Sequence, residues 1–90
     1  MVRFEDDDRG YLGWLAAHPA EFVLNIERTL SPPTNLVLHS ASCYTINGTP
    51  ARGKQWTGPY IKVCGTRAEL EGFVRREAGA QARVCRLCLG

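Results

Sequence analysis

His39 and Cys43 are separated by three residues, and Cys85 and Cys88 by two. Each pair is short enough for both side chains to reach one ion from a single turn, and four donors of mixed sulfur and nitrogen type suit tetrahedral zinc. A CxxC pair also marks thioredoxin-like redox sites, but those stand at the start of a helix after a strand. Here the pair lies two residues from the end of the sequence, which favours a zinc knuckle closing a domain. A fifth donor, Cys64, competes for the four places. If His39 is a hydrogen-bonded histidine at a strand end, the set is Cys43, Cys64, Cys85 and Cys88. If Cys64 is a small buried hydrophobe, a common fate of free cysteine, the set is His39, Cys43, Cys85 and Cys88. The His-x3-Cys spacing favours the second set, because it gathers two ligands without a third strand. His18 has no such partner and reads as a helix-end residue facing the dipole.

The elements that must position these donors follow from the pattern around them. Ninety residues make one domain with a modest core, so a metal that helps it fold is expected. Asp8 can cap a helix over about residues 9–18, with Tyr11, Leu12 and Leu15 as its apolar stripe and Pro19 as its stop. Residues 21–27 and 36–39 read as two strands joined across the Ser31-Pro32-Pro33-Thr34-Asn35 turn, a hairpin that delivers His39 at its end. Residues 47–59, with three glycines and two prolines, read as a long loop. Residues 60–64 return to strand, with Tyr60, Lys62 and Cys64 on one face and Ile61 and Val63 on the other. Thr66-Arg67-Ala68-Glu69 matches a capping box, and a helix should follow over about 67–78. Its stripe is Leu70, Phe73 and Val74, Glu71 and Arg75 form an i, i+4 pair, and Gly79 stops it. The expected fold is α+β: a small zinc-stabilised domain with a mixed or antiparallel sheet and two helices.

Charge is divided along the chain. Residues 1–50 carry six acidic against three basic side chains, and residues 51–90 carry eight basic against three acidic. A basic C-terminal half suits an anionic partner such as nucleic acid. The loop residues Arg52, Lys54, Gln55, Trp56 and Thr57 mix phosphate-binding cations with an aromatic that can stack on a base and an amide that can read an edge. Arg67, Arg75, Arg76, Arg83 and Arg86 would extend that track. The blander role of Trp56 is a core anchor pinning the loop, and that of the arginines a solvated face. The start of the sequence is acidic and lacks an apolar h-region, and no apolar run reaches the roughly 18 residues of a membrane span. Reduced thiols, a cytoplasmic location and no membrane contact are expected.

The order strand, His39-x3-Cys43, later strand, Thr66-capped helix, then Arg83-Val84-Cys85-Arg86-Leu87-Cys88 resembles the metal-binding domain of the Ada type, over about residues 36–88. That family presents a Cys or His, three residues, a Cys, and a distal CxxC preceded by a helix. Phrases such as Gly13-Trp14-Leu15, Phe22-Val23-Leu24-Asn25 and Lys62-Val63-Cys64 also look like a small actinobacterial module associated with modification-dependent or HNH-type nucleases. The resemblance implies a zinc-built scaffold with a DNA-facing surface, carried beside an attached nuclease. The family's first motif position is a cysteine that accepts a methyl group from DNA phosphotriesters; here it is His39, so alkyl transfer is not carried over.

No enzyme is expected. Four protein donors would fill a tetrahedral metal, and no phosphate-binding glycine loop, nucleophile elbow or HNH core is present. Asp6, Asp7 and Asp8 read as a helix start or a solvated run. Two functions compete: a DNA-recognition module, and a zinc-stabilised protein-interaction module of a longer protein.

Overall fold

The computed structural model describes residues 1–27, 36–43, 46, 56–58, 60–77 and 83–88. Five strands form one mixed sheet: β1 (Val2–Phe4), β2 (Phe22–Glu27), β3 (Leu36–Ser40), β4 (Tyr60–Gly65) and β5 (Arg83–Val84). Two longer helices accompany it, α1 (Asp8–Ala17) and α2 (Arg67–Glu77). The strand order is β1-β4-β2-β3-β5. All neighbours run antiparallel except β5, which lies parallel to β3 through Val37↔Arg83 and Leu38↔Val84. The expected α+β class, the β2–β3 hairpin and the two helices are all present. The sheet also holds two strands that the residue pattern did not announce, β1 and β5.

Alternation on β2 divides the core into two faces. On one, Val23 and Cys64 pack with Phe4, Tyr11, Leu15, Ala41, Cys43, Ile46 and Cys85. On the other, Leu24, Ile26, Leu36, Leu38, Ile61 and Val63 pack against Leu70 and Val74. The helices therefore cover opposite faces, α1 on the first and α2 on the second. Both central strands are buried on both sides, which is why β4 runs Ile61, Lys62, Val63 and Cys64 with every residue inside.

The helix starts depart slightly from expectation. Asp7, not Asp8, caps α1: its Oδ1 accepts from the Gly10 N–H at 2.9 Å. Asp8 becomes the first helical residue, and its carboxylate is turned to another use. Its Oδ1 accepts from the Thr57 N–H and Oγ1–H at 2.8 and 2.6 Å, and its Oδ2 from the Trp56 N–H at 3.1 Å. Thr57 answers by accepting from the Asp6 and Asp7 N–H groups. The acidic run is a clasp that ties the N-terminal segment to the approach of β4. Asp6 makes the turn into it at φ 54, a left-handed conformation that aspartate tolerates better than most residues.

At α2 the capping box forms as expected. The Glu69 N–H donates to Thr66 Oγ1 at 3.2 Å, and the Thr66 N–H to Glu69 Oε1 at 2.9 Å. The expected Glu71–Arg75 pair is replaced by Arg67–Glu71, with Nε to Oε2 at 3.2 Å. Both spacings are i, i+4, and Glu71 takes the partner one turn before it. Gly79 lies outside the described residues.

Candidate metal centre

The hairpin and the last strand bring the four donors together. His39 sits near the end of β3, opposite Val23 in the register, so its ring shares the inner face that holds Cys64 and α1. The chain then turns: the Cys43 N–H donates to the Ser40 carbonyl at 3.0 Å, and the Ile46 N–H to the Cys43 carbonyl at 3.2 Å. Across the sheet, the Cys85 N–H donates to the Leu38 carbonyl at 2.8 Å, continuing the parallel ladder of β5 by one residue. That bond fixes the height of the CxxC turn beside His39. The ligand atoms of His39, Cys43, Cys85 and Cys88 all lie within 4.8 Å of one another.

The spacing fits a tetrahedral ion. Zinc–sulfur bonds of about 2.3 Å at tetrahedral angles set neighbouring sulfurs about 3.8 Å apart, and Cys43 Sγ lies 3.9 Å from Cys85 Sγ. The Ser40 N–H points at Cys88 Sγ at 3.3 Å, the kind of outer contact that steadies a thiolate ligand. All four cysteines of the chain are thiols, with no disulfide among them. One histidine and three cysteines thus form a set that could coordinate a metal ion, and sulfur and imidazole donors in this geometry suit zinc.

Protonation favours the same use. Burial first, and then the charge of Lys62, bring the His39 imidazole down to about 4, so the ring is neutral and able to ligate at neutral pH. Burial raises the Cys85 thiol, but hydrogen bonds from Leu87, Cys88 and Cys43 outweigh it and leave the net shift downward. Burial and the neighbouring thiols Cys43 and Cys85 push Cys88 up to about 12, against the Ser40 N–H. Cys88, crowded by Cys43 and Cys85, resists ionising without a cation beside it, and a bound cation would reverse that.

Cys64, the competing donor, stands outside this cluster. It is fully buried among Val23, Tyr11 and Phe4, and burial raises its thiol to about 12. It behaves as the small buried hydrophobe. Beside it Tyr11 donates its hydroxyl to the Ile46 carbonyl at 3.1 Å, and burial raises that phenol well above its ordinary value. His18 closes α1, with Nδ1 3.0 Å from the Trp14 carbonyl and its ring stacked on Trp14 at 4.7 Å.

The expected nucleic-acid residues are not gathered in one place. Arg52, Lys54 and Gln55 lie outside the described residues. Trp56 packs against the metal-side core, and its N–H is held by Asp8, which is the anchoring role. Arg75 and Arg76 are exposed in the last turn of α2, where they complement the helix dipole on the opposite side of the sheet. Two other arginines do lie near the metal donors: Arg83 and Arg86 line an open cavity of about 540 Å³ together with Val37, Val84 and Cys85. Sequence reasoning also passed over Lys62, which is 4 % exposed. The signal was available, since a lysine within a strand apolar on both faces must be buried with it. No helix among the described residues is long and apolar enough to cross a membrane. No family model matches the chain, and neither a curated protein nor a solved structure does, so its chemistry rests on its own geometry.

Proposed function

We propose that the chain is a zinc-built DNA-recognition module, serving to bring an attached nuclease to modified or unmodified DNA, and not itself an enzyme. One observation carries this reading: β5 and the CxxC turn after it, which would supply two of the metal's donors, carry Arg83 and Arg86 beside an open cavity. His39, Cys43, Cys85 and Cys88 would hold the ion, which supplies rigidity and, with four protein donors, keeps no open coordination position for catalysis. Ordering two cations at a cavity mouth is a use for that rigidity, because a preorganised cation binds a phosphate without paying to be immobilised. The basic C-terminal half and the Ada-type order of motifs support nucleic acid as the partner.

The test is metal content and duplex binding measured on the same preparations of wild type, His39→Ala, Cys64→Ser and Arg86→Ala. One zinc per chain in wild type and Cys64→Ser, and loss in His39→Ala, is the expected metal result. Duplex affinity should fall steeply between 50 and 200 mM salt, by about a factor of ten for each pair of phosphate contacts or so, and weaken in Arg86→Ala. Absence of any duplex binding at low salt, with a protein partner retained on a column, would replace this reading by the protein-interaction module.

A further inference from the structure

Two of the four clustered donors are fixed by their backbones to the same short stretch of β3. The Cys85 N–H donates to the Leu38 carbonyl at 2.8 Å and the Cys43 N–H to the Ser40 carbonyl at 3.0 Å, so neither cysteine can drift from the other without breaking a bond. Their sulfurs lie 3.9 Å apart. A disulfide sets its sulfurs about 2.05 Å apart, so a closure of about 2 Å, within the reach of side-chain rotation, would join them with both backbones in place. The two positions are separated by 42 residues of chain, yet the fold has already closed that loop.

The open cavity gives a reagent access to one of them. Val37 and Arg83 are paired across β3 and β5, and Val37 alternates to the same face as His39, so the cavity and the donor cluster lie on one side of the sheet. Cys85 belongs to both. The other thiols are placed differently, since Cys88 Sγ takes the Ser40 N–H at 3.3 Å and Cys64 is fully buried outside the cluster.

We propose that Cys85 is a modification site for a hydroperoxide, and that Cys43 then closes on it, so that a disulfide takes a metal's place as the tie between β5 and the turn after β3. In the first step the Cys85 sulfur attacks the terminal peroxide oxygen, the O–O bond breaks, and the thiol proton leaves with the departing oxygen as water or an alcohol. Cys85 is now a sulfenic acid. In the second step the Cys43 sulfur attacks the Cys85 sulfur, the S–O bond breaks, and the hydroxide departs as water with the Cys43 proton. Two thiols have lost two electrons and the peroxide has gained them. Where the pair starts as metal-bound thiolates the two protons come from solvent, and the disulfide that results no longer offers a cation its negative sulfurs. The site rests on the two sulfurs and the cavity alone, and so stands apart from both the DNA reading and the bound metal.

The experiment treats the full zinc-loaded wild-type chain with a molar excess of hydrogen peroxide, follows zinc release with a chromogenic chelator, and maps the product by tryptic digestion without reductant. Trypsin cuts after Arg28, Arg52, Arg83 and Arg86, which puts Cys43, Cys85 and Cys88 on separate peptides. The expected product is peptide 29–52 joined to peptide 84–86 within one chain, with two of the four thiols lost and the zinc released in step with them. Its far-ultraviolet dichroism should survive metal loss and collapse only when reductant and chelator are added together. A Cys85–Cys88 bridge, a link between two chains, or four thiols intact after the peroxide overturns the site, and dichroism lost on oxidation overturns the tie. A chain that never held zinc but forms the Cys43–Cys85 bridge keeps this site and defeats the metal reading. One zinc per chain with a Cys85–Cys88 bridge after peroxide does the reverse.

Discussion

A lysine held at 4 % exposure pays a desolvation cost that an apolar residue of the same shape would not. Lys62→Met should therefore raise the melting temperature of the unliganded protein, by roughly 4–8 °C for each kcal/mol recovered in a domain of this size. The pH dependence has a definite sign. The amine titrates near 8 in the folded chain and at its ordinary 10.5 when unfolded, so the unfolded state binds more protons between those values. Stability attributable to Lys62 must rise with pH across that window. Thermal scans of wild type minus Lys62→Met from pH 7 to 11 would show the gap narrowing; a widening gap would mean that the ammonium is stabilising where it sits. At this scale the donors of the metal cluster were legible because their spacing is local. Lys62 was less so, because its burial shows only when the apolar residues on both faces of its strand are weighed together.

The elements show a similar division. The β2–β3 hairpin, β4 and both helices could be read from runs of five to eleven residues with clear periodicity and a capping box. β1 and β5 span three and two residues, too few to display a period, and their partners lie far along the chain. The Asp6–Asp8 clasp escaped notice for a related reason. Its partners, Trp56 and Thr57, are some fifty residues away, and an acidic run looks the same whether it caps a helix or receives a distant backbone. Thr57→Val removes the hydroxyl that both donates to Asp8 and accepts from the Asp7 N–H, in a fully buried position. A loss of about 1–3 kcal/mol is expected in denaturant unfolding. Hydrogen bonds from Thr57 and Trp56 outweigh burial and hold the Asp8 carboxyl below its ordinary value. Its contribution is therefore complete above about pH 4 and disappears as pH falls through the lowered value, so the Thr57→Val deficit should shrink in acid.

For the molecule as a whole, the metal donors join the two ends of the sheet's weakest connection. β5 holds β3 through two residue pairs, and both of its residues are exposed. Such a strand is too short to persist by pairing alone, and four coordinate bonds are what would keep it there. Chelation should release the segment from Arg83 to Cys88 and unfold the domain, since structural zinc in small domains supplies on the order of 10 kcal/mol of folding free energy. Loss of far-ultraviolet dichroism on adding chelator, restored by zinc, is the expected observation; a fold indifferent to chelator would show that the thiols close the domain unaided. The same arrangement bears on synthesis. Two of the candidate donors stand at residues 39 and 43 and two at 85 and 88, so a nascent chain would expose half of the set for the forty or so residues that separate them. During that interval a ribosome-bound chain would carry an imidazole and the thiols of Cys43 and Cys64 open to oxidation, and a metal site of this kind would close only when Cys88 emerges.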